Sequence, residues 1–306
     1  MRRRARLGTP VAALLFGVLL LASSASVRAS STQTIQVDGR ERSYLLHRPA
    51  GAGQTGPPAL VVVLHGGFGS AARAEQAYGW DALSDREGFV VVYPNGVQRA
   101  WNAGGACCGR PRREGIDDVG FLSALLRKLI REQGVDATRL YVAGISNGAA
   151  LALAYACGFA QPPLAAIGSV SGGISAPCEK PAPVSLLEIH GMDDNNIPMM
   201  GGVGTKGVSA VSWLPVPQAL DRFRSGAACE AAIVEVRGDV TTRMSSCQGG
   251  RRVGLITIAK AGHQWPGARS AGVMDRAFGL DPPSRALDAT QVLWEFFRSQ
   301  RLPASP

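Results

Sequence analysis

Arg139-Leu-Tyr-Val-Ala-Gly144-Ile-Ser146-Asn-Gly148, followed by the small-residue run Ala149 to Ala156, decides the fold. A short apolar strand runs into Gly-x-Ser-x-Gly and then straight into a helix-forming stretch. That is the setting of a nucleophile elbow, a sharp strand-to-helix turn that lifts a serine Oγ above the end of a sheet. Small residues belong there because the turn is crowded and its backbone strained. The five-residue pattern alone is weak. With 38 Gly among 306 residues, chance supplies roughly 0.3 such matches, so the strand before it and the helix after it carry the reading.

Outward from the elbow, apolar β-branched runs recur with helical segments between them. Ser43–His47, Ala59–Leu64 and Phe89–Tyr93 read as strands before it; Ala165–Val170, Val184–His190 and Val253–Ile258 read as strands after it. Several are apolar throughout, as strands covered on both faces of a parallel sheet must be. Ala231–Val236 and Val240–Met244 read as a hairpin. Asp118 to Arg131 is an amphipathic helix, with Val119, Leu122, Leu125, Leu126, Leu129 and Ile130 on one side and Ser123, Arg127 and Lys128 on the other. Asp117 or Asp118 caps its start. A last helix spans about Ser284 to Ser299. Strand–helix alternation with an antiparallel start predicts an α/β-hydrolase, a mostly parallel central sheet with helices on both faces, whose ligands sit beyond the carboxyl ends of the strands.

Attack on a carbonyl by a serine needs a base, a group to orient the base, and donors for the oxyanion. Ser146 is the nucleophile candidate. Of four histidines, His47 lies inside an early strand, and His65 and His190 each end a strand. His263 follows the last strand in Ala-Gly-His-Gln-Trp-Pro-Gly, at the same edge as the elbow, and is the candidate base. The preceding strand leads into His190-Gly-Met-Asp193-Asp194, so the orienting acid is Asp194, with Asp193 as fallback. The order Ser146, Asp194, His263 is the α/β-hydrolase order. Leu64-His65-Gly66-Gly67-Phe68-Gly69 closes the third strand and fits an oxyanion loop, with the Asn147 amide as one donor and an amide at Gly67 or Phe68 as the other. Trp101 and Trp265, with Trp213, are candidates for a flat apolar substrate wall.

Residues 1–29 read as a secretory signal and 30–306 as a single catalytic domain. Arg2, Arg3, Arg4 and Arg6 make a basic start, and Val11 to Leu21 an apolar core too short to span a bilayer comfortably, which predicts export without a stable membrane anchor. The formal charge is +9, but five arginines and no acids fall in the first 29 residues, leaving a mild +4. No dense basic tract points to nucleic acid. Six cysteines on an exported chain suggest up to three disulfides. Cys229 and Cys247, flanking the hairpin, pair most easily; Cys107, Cys108, Cys157 and Cys178 are left undecided. No Cys-x-x-Cys or histidine-rich spacing supports a metal site.

The assembled residues resemble the secreted polyhydroxybutyrate depolymerase and feruloyl/acetylxylan esterase family over roughly residues 35–300. The resemblance rests on Leu64-His-Gly-Gly67, Trp101 with Cys107-Cys108, Asp117-Asp118-Val-Gly-Phe121, the elbow, His190-Gly-x-x-Asp194-x-x-Ile-Pro198 and Gly262-His-x-Trp-Pro-Gly267. It implies hydrolysis of a carboxylic ester without a cofactor, outside the cytoplasm, with Asp194 as the acid. Met199-Met200 stands where relatives often carry an aromatic residue, and no polymer-binding module is evident. Soluble hydroxyalkanoate oligomers and feruloyl or acetyl esters of polysaccharide are the substrates to expect. An acyltransferase, or a binding protein on the same scaffold, is the alternative.

Overall fold

The structure, a computed structural model, describes residues 30–303 except 106, 159, 208–209, 226 and 270–279. The signal expected at residues 1–29 lies outside the described residues.

The chain begins with a hairpin of β1 (Ser31–Val37) and β2 (Arg40–His47), then β3 (Leu60–Leu64), α1 (Ala71–Tyr78), α2 (Trp80–Glu87) and β4 (Val90–Pro94). Next come α3 (Gly109–Arg113), α4 (Asp118–Gln133), β5 (Leu140–Ile145), α5 (Asn147–Cys157), β6 (Ala166–Val170) and β7 (Ser185–Gly191). Two-residue β8 (Gly202–Val203) and β9 (Ser212–Trp213) pair with each other, and α6 (Val216–Ser225), β10 (Ile233–Arg237), β11 (Val240–Ser246), β12 (Arg252–Ile258) and α7 (Ala289–Arg298) follow.

Ten strands form one sheet in the order β1-β2-β4-β3-β5-β6-β7-β12-β11-β10. The neighbours from β4 to β12 run parallel, and antiparallel hairpins close both edges. Strand alternation sorts the apolar side chains into two cores. Leu60, Val62 and Leu64 face α4, α5 and α6, while Val61 and Val63 face α1, α2 and α7. On that second face Leu293 and Phe297 are fully buried, each contributing about 1.5–3 kcal/mol by the removal of its side chain from water.

The sequence reading missed β1, because Ser31-Thr-Gln-Thr-Ile-Gln-Val37 is mostly polar and exposed. It becomes a strand through pairing with β2, Ser31 opposite Leu46 and Val37 opposite Arg40. Ser123, expected on the solvent side of α4, is buried because α5 packs there. The last helix starts five residues later than expected, where the Asp288 side chain accepts a 3.0 Å bond from the Gln291 amide and caps it. All six cysteines are paired: Cys229–Cys247 as expected, Cys157–Cys178 tying the end of α5 to the loop before β7, and the neighbours Cys107 and Cys108 to each other.

Candidate active site

Ser146 stands between β5 and α5 with φ 57° and ψ −123°, a region that side chains other than glycine rarely occupy. Such a backbone costs about 1–3 kcal/mol and persists only when its surroundings fix it. Here the Ser146 amide donates to Val170 O (3.0 Å) and its carbonyl accepts from Ala150 N (2.8 Å). The flanking glycines are steric necessities. A Cβ on Gly144 would lie 2.7 Å from the carbonyl carbon of Gly148, and one on Gly148 would collide with the His65 and Leu64 carbonyl oxygens.

His263 follows β12, and its Nδ1 lies 2.7 Å from Asp194 Oδ2. Both residues are buried. Asp194 Oδ1 accepts from the amides of Asn196 (2.8 Å) and Ile197 (2.9 Å), which fixes the carboxylate plane. Burial pushes the Asp194 pKa up, but the charge and hydrogen bond of His263, the charge of His190 and the backbone donor outweigh it and hold it below the usual value. Asp193, the fallback, is exposed. The His263 loop is clasped by Asp281, whose Oδ2 takes the His263 amide (2.9 Å) and whose Oδ1 pairs with Lys206 (3.0 Å).

A second buried histidine lies behind Asp194. His190 Nδ1 is 2.8 Å from Glu188 Oε1 and its Nε2 is 2.8 Å from Ile197 O. Ile197 O can only accept, so Nε2 carries a proton; Glu188, whose own pKa burial raises, shares a second proton with Nδ1, and on that proton any charge of the ring depends. Burial opposes that charge, but the hydrogen bond and charge of Glu188, with Asp194 3.5 Å away, raise the His190 pKa above the usual value. Sequence reading had no signal for this role beyond the position of His190 at a strand end.

The glycine-rich loop after β3 lies beside the serine. His65 accepts from the Gly96 amide through Nε2 (3.0 Å), so its proton sits on Nδ1, facing Gly66 O at 2.7 Å. Burial lowers its pKa to about 4, which keeps it neutral. Of the two amides considered for the oxyanion, that of Phe68 is already donated to Arg99 O at 2.7 Å. This corrects the expectation for Phe68, whose amide is engaged within the loop's own surroundings.

Trp101 needs a correction as well. Its indole is fully buried, 4.8 Å from the His65 ring and donating to His65 O at 2.8 Å, so it packs behind the loop instead of lining the cavity. Its backbone is held by the Asn147 side chain: Trp101 N donates to Asn147 Oδ1 (2.7 Å), and Asn147 Nδ2 donates to Trp101 O (2.9 Å) and to Cys107 Sγ (3.3 Å). Asp118 holds the next residue, taking the Asn102 amide at 2.7 Å while paired with buried Arg42 at 2.7 Å.

Ser146, Asn147, Gly67, Phe68 and His263 all line one cavity of about 920 Å³ at the carboxyl ends of the parallel strands. Trp265 and Trp213 line it too; Trp265 stacks on Tyr78 at 4.4 Å and donates to Thr290 Oγ1. Among the described residues no group of three or more His, Cys, Asp or Glu could hold a metal ion, and no helix is long and apolar enough to cross a membrane.

A sheet of this order, with helices on both faces and a cavity above the parallel strand ends, defines an α/β-hydrolase. The acetyl xylan esterase from Aspergillus awamori shares it, with a TM-score of 0.56 at 16% identity over 81% of this chain and 99% of that one. NocK of Nocardia uniformis subsp. tsuyamanensis, named as an esterase, is 31% identical over 78% of this chain and 74% of its own length. Feruloyl esterase C of Emericella nidulans is 29% identical over 55% of this chain, which spans 60% of that enzyme's length. The profile described as Esterase PHB depolymerase matches residues 42–196. The chain belongs to this family and is a carboxylic ester hydrolase.

Proposed function

We propose that the protein is an exported serine esterase working through an acyl-enzyme on Ser146. The observation that carries this is the buried 2.7 Å contact between Asp194 and His263, on the wall of the cavity that Ser146 lines. His263 takes the Ser146 proton as Oγ attacks the ester carbonyl. The Asn147 and Gly67 amides hold the oxyanion. On collapse the alcohol leaves with the proton from His263, and a water deprotonated by the same ring then releases the acid and restores the serine. Asp194 keeps His263 in the tautomer that presents a free Nε2.

The cavity is large enough for an aromatic acyl group or a short oligomer, and the indoles of Trp265 and Trp213 supply apolar wall. Soluble hydroxyalkanoate oligomers and feruloyl or acetyl esters of polysaccharide are the proposed substrates. Export rests on the signal-like residues 1–29 and on the pairing of every cysteine, which suits an oxidising compartment. The test is turnover of short p-nitrophenyl esters, methyl ferulate, acetylated xylan and a 3-hydroxybutyrate oligomer beside Ser146→Ala. The variant loses a factor of about 10⁴ or more in kcat; near-wild-type turnover would remove the proposal.

A further inference from the structure

The charge of the cavity wall is lopsided. Among the described residues, Arg73, Arg110, Arg113 and Arg269 line it with one carboxylate, Asp281. Asp281 is already engaged, by Lys206 and by the His263 amide. His65 is neutral, its pKa lowered by burial to about 4.

The arginines come from separate segments. Arg110 and Arg113 lie on α3, directly after the Cys107–Cys108 bridge, whose Cys108 also lines the cavity. Arg269 follows the Trp265 turn, with its amide bonded to Ala77 O at 3.0 Å. Arg110 is paired with Glu114. Arg113 and Arg269 are exposed and make no ion pair among the described residues. A planar guanidinium matches a carboxylate with two parallel hydrogen bonds. A cleft lined by one sign of charge also concentrates ligands of the other sign.

We propose that the cleft selects esters whose acid or alcohol part ends in a carboxylate, held by Arg113 and Arg269. The proposal rests on the reading of Ser146 as the nucleophile of an esterase. It places the free end of a hydroxyalkanoate oligomer, or an acidic group on the acyl portion, against these arginines.

Two matched pairs test it. The 3-hydroxybutyrate dimer against its C-terminal amide carries the charge on the alcohol side of the scissile bond. The p-nitrophenyl monoester of glutarate against that of glutaramic acid carries it on the acyl side. In at least one pair the acid exceeds the amide in kcat/KM by about three- to tenfold at low salt, as two exposed ion pairs allow. That ratio falls toward one in the double variant Arg113→Gln/Arg269→Gln, and in about 0.5 M NaCl, where exposed charges are screened. The pair that responds says which side of the ester carries the charge. Glutarate against glutaramide, as inhibitors of p-nitrophenyl acetate hydrolysis, reads the same preference without relying on turnover of either pair. Ratios near one throughout, or a preference that persists in the double variant, would overturn the proposal. Full turnover by Ser146→Ala would instead sink the esterase mechanism, whatever the ratios.

Discussion

Asn147 lines the cavity, and its side chain holds the wall behind it. The carboxamide closes a two-way pair with the Trp101 backbone and reaches Cys107 Sγ. Asn147→Ala keeps the amide but strands the Trp101 N–H in a buried site, at about 1–3 kcal/mol for an unmet polar group, while the Trp101 C=O keeps the Cys108 amide. We expect a lower melting temperature together with a fall in kcat, measured on the same sample; an unchanged kcat would show that the wall does not position the donor. Asp194 gives a pH signature. Its folded pKa is depressed, chiefly by His263 against the opposing effect of burial. Its contribution is therefore complete above the unfolded carboxyl value of about 4 and is lost as the pH falls through the lower folded value. The melting-temperature gap between wild type and Asp194→Asn should be widest near neutrality and shrink in acid; a gap that stays flat would contradict the assignment. The positions of Ser146, Asp194 and His263 just after strands were legible because the strands themselves read clearly in order. The Asn147–Trp101 clasp and the His190 contacts behind Asp194 were not, because they depend on which atoms meet across the fold: Asn147 and Trp101 are 46 residues apart. Phe68 was misread for the same reason, its amide being spent on Arg99, a contact between residues far apart in the chain.

The elbow is a crossing of elements, β5 and α5 against the end of β3. Gly148 packs where a methyl group would meet the carbonyl oxygens of His65 and Leu64, and those atoms belong to strand-end backbone that cannot swing aside. Gly148→Ala should move α5 away from β3, destabilising the protein by about 1–3 kcal/mol in the manner of an overpacked core and reducing kcat more than KM; full activity with an unchanged melt would refute the steric reading. The buried parallel strands were readable from sequence because both faces need apolar residues, so β3 and β4 are unbroken apolar runs. β1 was invisible because an exposed edge strand takes its conformation from its partner. Helix ends shift with caps, as Asp288 shows at α7.

Over the whole molecule, the six parallel strands set the working face and the antiparallel hairpins close the edges. Cys157–Cys178 fastens α5 to the approach of β7 across 21 residues of chain. Removing it as Cys157→Ala/Cys178→Ala should lower stability by about 3 kcal/mol on chain-entropy grounds, read by urea unfolding; a loss under about 0.5 kcal/mol would mean that this segment is fixed without its bridge. The Cys107–Cys108 bridge differs in kind. It closes no long loop, yet it abuts the Asn147 carboxamide and forms part of the cavity wall. It joins adjacent residues and ties no two elements of the sheet together, so circular dichroism and gel filtration are poor reporters of it. Two batches of equal purity and helicity, one made in a reducing cytosol and one exported, are then different reagents, and a thiol titration belongs beside every rate compared between them.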